Sequence, residues 1–378
     1  MTTLHDTLQG HVESGEIPGA VGLVGGRGGV EVAAVGTLAV GGQAPMRRDS
    51  IFRIASASKP ILAAGVMILV EQGLIALEDR VDRWLPELGA IRVLRTPGSE
   101  LDDTESLTRP ITLFDLMTFR SGYGFPADFS LPGVQALFPL QPGALPITTM
   151  TPDEWIAALA KVPALAQPGD AWLYNASADI LSVLVPRVAG QTLPEFLSER
   201  IFEQLGMPDT AFEVPPAKRD RFTSFYEVNE AGGLDLADPP DGEWAHLPSF
   251  PSGAGGLVST VDDWYAFAQM LLGGGEANGA RILGSDSVDQ MMTDYLDDAQ
   301  REASRLFIEG QGWGFGGQVD VAETDPWNVV GRYGWIGGSG TSAFVTPSTG
   351  AVDILFTQRS LTGPTAPTIM RDFWTYAA

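Results

Sequence analysis

Apolar and polar positions change their rhythm along the chain, and each rhythm predicts a different element. Residues 19–26 (GAVGLVGG) and 30–36 (VEVAAVG) are short apolar runs that predict two strands. The Gly-rich segment GGRGG at residues 25–29 joins them as a hairpin. The residues before them, which include His5 and His11, predict an amphipathic surface helix. After residues 51–55 (IFRIA) a helix runs from about Ser56 to Gln72, with Gly73 as its stop. Its Ile61, Leu62, Val66, Ile68, Leu69 and Val70 leave almost no polar face, which assigns it to the core.

From residue 77 to about 244 the pattern becomes helical, broken by Pro- and Gly-rich loops. Helices are expected at residues 113–119, 152–161, 177–189 and 193–205, and a long irregular loop at 125–149. A loop of that length reads as a lid or a substrate wall. The last third returns to strands. A helix at 260–272 begins on Thr260 and Asp263 in the manner of a capping box. Residues 344–346 and 352–357 predict a closing hairpin, and 368–376 a terminal helix. Strands at both ends with helices between them predict an α+β fold, one sheet completed by both ends of the chain. The expected division is an α/β lobe from residues 1–80 and 245–378 and a mainly helical lobe from 81–244.

Charge narrows the choice of partner. Lys and Arg total 23 against 47 Asp and Glu, a net charge of -24, which repels phosphate backbones and anionic headgroups. No nucleic-acid and no membrane partner is therefore expected. The most apolar run, residues 61–70, is short of the about 20 residues that cross a bilayer. The opening residues lack the basic and apolar regions of an export signal, so a cytoplasmic location is the expectation. There is no cysteine, and His5, His11 and His246 are the only histidines. A histidine metal site, a Ser-His-Asp triad and a Gly-x-Ser-x-Gly elbow all fall away. Any nucleophile needs another base.

The sequence supplies one at Ser56-Ala57-Ser58-Lys59. A spacing of three sets a hydroxyl and an ammonium one helical turn apart, beside an N-terminus that favours developing negative charge. Such a spacing alone is equally a helix cap with a snorkelling lysine. Lys59, however, opens the most apolar helix of the chain, where lost hydration lowers its pKa and frees the amine to accept a proton. Lys161 and Lys218, the remaining lysines, do not follow a serine at that spacing. Tyr174, between a loop and a helix, is placed to relay protons, though a packed aromatic would look the same. The Gly-rich run 333–341 (YGWIGGSGT) could offer a backbone N–H to an oxyanion. Residues 312–317 fit G-x-G-x-x-G, but no helix follows, which points to a glycine-rich strand and not to a dinucleotide site.

In this order the motifs resemble the serine β-lactamase and penicillin-binding-protein superfamily, in its class C β-lactamase-related branch. The likeness spans nearly the whole chain and rests on residues 51–60 (IFRIASASKP), 111–122 (ITLFDLMTFRSG) and 252–260 (SGAGGLVST). It implies a β-lactamase/transpeptidase-like α+β fold, an antiparallel sheet flanked by helices with a helical inserted lobe. By position, Ser56 would be the acylated nucleophile, Lys59 the adjacent base and Tyr174 the catalytic tyrosine. Trp335-Ile336-Gly337 would stand where others have Lys-Thr-Gly or His-Thr-Gly, and the N–H groups of Ser56 and Gly338 would form the oxyanion hole.

Two departures bear on the substrate. The asparagine usual two places after the tyrosine is Ala176, with Asn175 one place early. The cationic lysine that helps bind a substrate carboxylate is Trp335, a replacement similar to the family VIII carboxylesterases. The resemblance therefore implies a hydrolase of small carboxylic esters that needs no metal or cofactor. A peptidase, amidase or β-lactamase, an acyltransferase, and a non-catalytic penicillin-binding-like module stay open, as does a homo-oligomeric state. Tyr123, Phe125, Trp244 and Trp313 either line an apolar pocket or pack in the core.

Overall fold

The computed structural model of the protein describes residues 2–26, 28–141, 145–147 and 149–378. Helix α1 (Leu4–Glu13) leads into strands β1 (Gly19–Gly26) and β2 (Gly29–Gly36). The predicted turn between them includes Arg27, which lies outside the described residues. Strand β3 (Phe52–Arg53) then leads to helix α2 (Lys59–Glu71), and helix α3 (Ala176–Ala189) follows far along the chain. Strand β4 (Val258–Ser259), helix α4 (Val261–Leu272), strands β5 (Gly312–Trp313), β6 (Gln318–Val319), β7 (Tyr333–Gly337), β8 (Thr341–Thr346) and β9 (Ala351–Thr357), and helix α5 (Thr368–Ala377) complete the frame.

Seven strands form one sheet in the order β5-β6-β7-β8-β9-β1-β2. Every pairing is antiparallel, and the last strand meets the first with Ala20 opposite Thr357. One face is covered by α1 and α5. A Cβ at Gly22 would sit 2.9 Å from Leu8 and 3.2 Å from Phe373, so the missing side chain lets both helices approach. Helix α4 lies against β1, β8 and β9. Of the segment 312–317, Gly312 and Trp313 form edge strand β5 and the rest is the turn into β6, so the strand reading holds for its first two residues.

Helix α2 is buried from Lys59 through Leu69, as its unbroken apolar pattern requires. Its predicted first turn takes another form. Residues Ala55–Ser58 make a 3-10 turn, and the α-helix opens only at Lys59. Ala55 is held at φ 43°, which bends the chain away from α-helical geometry before Pro60 settles into the first turn, where its missing N–H costs nothing. Other expectations shift in detail. The helix expected at 193–205 is continuous but carries a π-turn at Ser198–Phe202. The stretch 125–149 is not wholly irregular: Pro132–Leu137 is helical and Phe138–Leu140 is a 3-10 turn, while residues 142–144 and 148 lie outside the described residues. Thr260 caps α4 by accepting from the Asp263 N–H, but the Asp263 carboxylate turns to Asp209 N–H and Thr210 instead of closing the box.

Candidate active site

Ser56 is clamped from several sides before any chemistry is considered. Strand β3 pairs Phe52 with Ser259 and Arg53 with Val258, and Ile54 N–H donates to Leu257 O at 3.0 Å. The far side is held by the β7–β8 turn: Thr341 Oγ1 donates to Ile54 O at 2.8 Å and Ser339 Oγ to Arg53 O at 2.5 Å. Gly337 ends β7 so close to this segment that a Cβ there would lie 2.4 Å from Ile54 O. Behind the turn, Trp264 of α4 donates its indole N–H to Ala57 O at 3.1 Å. The half-buried Ser56 thus sits on a bend fixed by the sheet, by α4 and by its own helix.

The predicted trio comes together on one oxygen. Lys59 Nζ lies 2.7 Å from Ser56 Oγ, and Tyr174 OH lies 2.8 Å from the same atom. Lys59 is 1% exposed, and its Nζ also donates to Ala254 O at 2.6 Å. Burial lowers its pKa to about 7, against a weaker pull upward from the Asp179 charge. The amine therefore loses its proton readily near neutrality and can accept one from the serine. Burial moves the Tyr174 phenol the other way, up to about 12, so it keeps its proton and serves as a donor.

Tyr174 is positioned by a backbone pairing with a distant residue and by the residue that follows it. Its backbone pairs with Phe125, N–H to O at 2.9 Å and 3.0 Å in the two directions. Asn175 then adopts φ 77° and turns the chain into α3. The Trp335 indole N–H donates to Tyr174 OH at 2.7 Å, and Trp335 itself stands edge-on to Trp313 with ring centres 4.8 Å apart. Asn175 lines the site, but its amide donates to Gln141 and, at 3.0 Å, to Asp179, so it is engaged within the protein. Among the described residues, neither Ser56 N–H nor Gly338 N–H is used by another backbone group.

Ser56, Tyr174, Trp335 and Gly338 open on a cavity of about 920 Å³. Its wall includes Phe125, Phe129, Phe250 and Phe307, with Phe138 at the mouth 41% exposed. Among the described residues no lysine or arginine lines it, and the carboxylates that do are Asp179 and Glu227. Of the four aromatics weighed from the sequence, only Phe125 reaches the cavity. Tyr123, Trp244 and Trp313 are buried in the core at 0%, 1% and 0% exposure.

Sequence reasoning missed Asp179, Gln141 and the Ala254 carbonyl. Asp179 carried a faint signal, a lone acid inside the otherwise uncharged run ASADILSVLV of α3. Among the described residues no group of three or more His, Asp or Glu side chains is set to hold a metal ion. Among the same residues no helix is long and apolar enough to cross a membrane.

Comparison with known proteins bears on the family and the fold. The family model described as Beta-lactamase matches residues 4–371. A Mycobacterium tuberculosis protein, Protein Rv1367c, is 36% identical over 89% of this chain and 84% of its own length. Esterase EstB of Burkholderia gladioli is 29% identical over 85% of this chain and 81% of its own. Among solved structures, EstCE1, a hydrolase with promiscuous acyltransferase activity, superposes with a TM-score of 0.81 at 23% identity, covering 99% of this chain and 97% of that one. At that identity the last likeness speaks for the fold.

Proposed function

The chain belongs to the beta-lactamase family, and on that premise we propose that it is a serine hydrolase that cleaves carboxylic esters through an acyl-enzyme on Ser56. The observation that carries this reading is the pair of contacts on one hydroxyl, Lys59 Nζ at 2.7 Å and Tyr174 OH at 2.8 Å, at the floor of an apolar cavity. Ser56 Oγ attacks the ester carbonyl carbon while its proton passes to the Lys59 amine. The carbonyl oxygen, now anionic, is met by the N–H groups of Ser56 and Gly338. Collapse of that intermediate breaks the bond to the alkoxide, which leaves with a proton delivered through Tyr174. Water repeats the sequence on the acyl-serine, and the acid departs with Ser56 restored. No step calls for a metal or cofactor.

An ester is favoured over a lactam or a D-Ala-D-Ala peptide by the charge of the site. Those substrates present a carboxylate, and a charge-assisted bond to it is worth about 1.5–3 kcal/mol. Here the residue facing the phenol is Trp335, and no basic side chain among the described residues lines the cavity. The volume, near the upper end of the about 300–1,000 Å³ usual for ligand cavities, favours a bulkier ester than sequence reading alone suggested. The relationship to Esterase EstB supports the same choice. Ser56→Ala is expected to abolish turnover of nitrophenyl esters with the fold retained, and comparable activity in that variant would discard the reading. In the wild type, a kcat/KM for nitrocefin or a D-Ala-D-Ala peptide above that for esters would reverse the substrate assignment.

The aromatic wall favours a second outcome for the same intermediate. An apolar cavity admits an alcohol as readily as water, so the acyl group can pass to an alcohol acceptor. Added alcohol should then divert product from acid to new ester, and an unchanged acid yield would leave hydrolysis alone.

A further inference from the structure

Asp179 is a carboxylate buried at 3% exposure, and among the described residues no cation is in contact with it. Its partners are three neutral donors: Ser252 Oγ at 2.5 Å on one oxygen, and Gln141 Nε2 at 2.8 Å and Asn175 Nδ2 at 3.0 Å on the other. Burying a charge on these terms, with neutral donors as its partners, is costly. The arrangement makes sense once it is followed to its end. Ser252 Oγ, while donating to Asp179, accepts the Ala254 N–H at 3.1 Å. The carbonyl of that same Ala254 holds Lys59 Nζ at 2.6 Å. One turn along α3, Ser182 Oγ accepts the Gly253 N–H at 2.8 Å, a second anchor from the same helix.

We propose that Asp179 is a positioning residue for Lys59, fixing through Ser252 the Ala254 carbonyl on which the amine rests. Helix α3 thereby sets both partners of Ser56, Tyr174 through the turn at its start and Lys59 through the 252–254 loop. The carboxylate has a second effect at longer range. Its charge opposes the burial that strips Lys59 of its proton, and Lys59 in turn opposes the rise that burial imposes on Asp179. Tyr174 feels the same charge, so Lys59, Tyr174 and Asp179 are the titrating groups that face one another here. Gln141 itself lines the cavity, so the network reaches its wall.

The inference rests on Ser56 and Lys59 acting as proposed above, and the test separates the two. Ser252→Ala breaks the link to Ala254 but leaves the carboxylate. It is expected to lower kcat on a nitrophenyl ester by about tenfold, with KM within about twofold and the acidic limb of the pH profile unmoved. Asp179→Asn removes the charge and leaves a single acceptor oxygen, which cannot accept from Ser252, Gln141 and Asn175 at once. It is expected to lower kcat by about 100-fold and to move that limb to lower pH, because Lys59 loses the group that favours its protonated form. Melting temperatures are measured on both variants. A Ser252→Ala enzyme with kcat within about twofold of wild type overturns the proposal, and so does a folded Asp179→Asn enzyme whose pH profile is unchanged. If Asp179→Asn does not fold, the Ser252→Ala rate decides alone. Turnover that survives Ser56→Ala would instead remove the reading beneath the proposal.

Discussion

Ser56 stands midway between two buried cations, Arg53 three residues before it and Lys59 three after, and they have opposite fates. Arg53 is 3% exposed and meets a carboxylate directly, Nε to Asp238 Oδ2 at 2.9 Å, with Nη1 on Thr223 O at 2.6 Å. Its guanidinium also lies over the Phe222 ring, 4.0 Å from the centroid. Burial lowers its pKa to about 10 even against Asp238, which still leaves it charged at neutral pH. Lys59 is as deeply buried, but its amine bonds to a hydroxyl and a carbonyl and lies 4.9 Å from the Tyr174 ring centre, with no carboxylate in contact among the described residues, and its pKa falls to about 7. Burial alone does not make a buried base available for chemistry. A guanidinium is the stronger base to begin with, and a carboxylate in contact adds to its hold on the proton.

Lys59→Met tests that contrast most sharply. It should lower kcat/KM on esters by about 10²–10⁴-fold, the usual worth of a general base, without lowering the melting temperature, because an apolar side chain suits the site. A large thermal loss would mean the amine serves structure as Arg53 does. Arg53→Met should do the reverse. It strands Asp238 and should cost about 3–5 kcal/mol in denaturant unfolding, while the enzyme that remains folded keeps the pH profile of the wild type.

The pH dependence of the wild type offers a third measurement. Ester kcat/KM should rise as pH passes through about 7, where Lys59 loses its proton, and then level off because Tyr174 titrates only near 12. Stability carries the matching sign. Between about 7 and 10.5 the unfolded lysine binds a proton that the folded one does not, so wild-type stability gains on Lys59→Met as pH rises through that window. The smallest effect is expected from Trp335→Phe, which removes one N–H donor from Tyr174 OH. About 1 kcal/mol, or roughly fivefold in kcat/KM, follows for the loss of one hydrogen bond.

The same contrast shows what could be read from the chain beforehand. Ser56 and Lys59 were legible because a spacing of three is a local matter, and the apolar run after them announced a buried lysine. The paired strands and terminal helices were legible through periodicity, whereas Tyr174 stood out through the family resemblance, since its place at a helix start fits a packed aromatic as well. What the sequence withheld depends on distant partners. Ala254 meets Lys59 across 195 positions, and Trp335 meets Tyr174 across 161, so neither contact leaves a local pattern. The 3-10 turn at Ala55 was hidden for the same reason, since bonds from Ser339 and Thr341 help to hold that bend. Asp238, the counter-ion that keeps Arg53 charged, lies 185 positions away.

Strand β1 has a consequence for how the protein is made. It is interior to the sheet, with β2 on one edge and β9 on the other, and β9 spans residues 351–357. At about 5–20 residues per second, a ribosome needs roughly 15–60 s after β2 to deliver that second neighbour. Throughout that interval an apolar strand waits with one open edge, inviting mispairing between nascent chains. Yield in a cell should therefore respond to chaperone supply and growth temperature more than the stability of the finished enzyme would suggest.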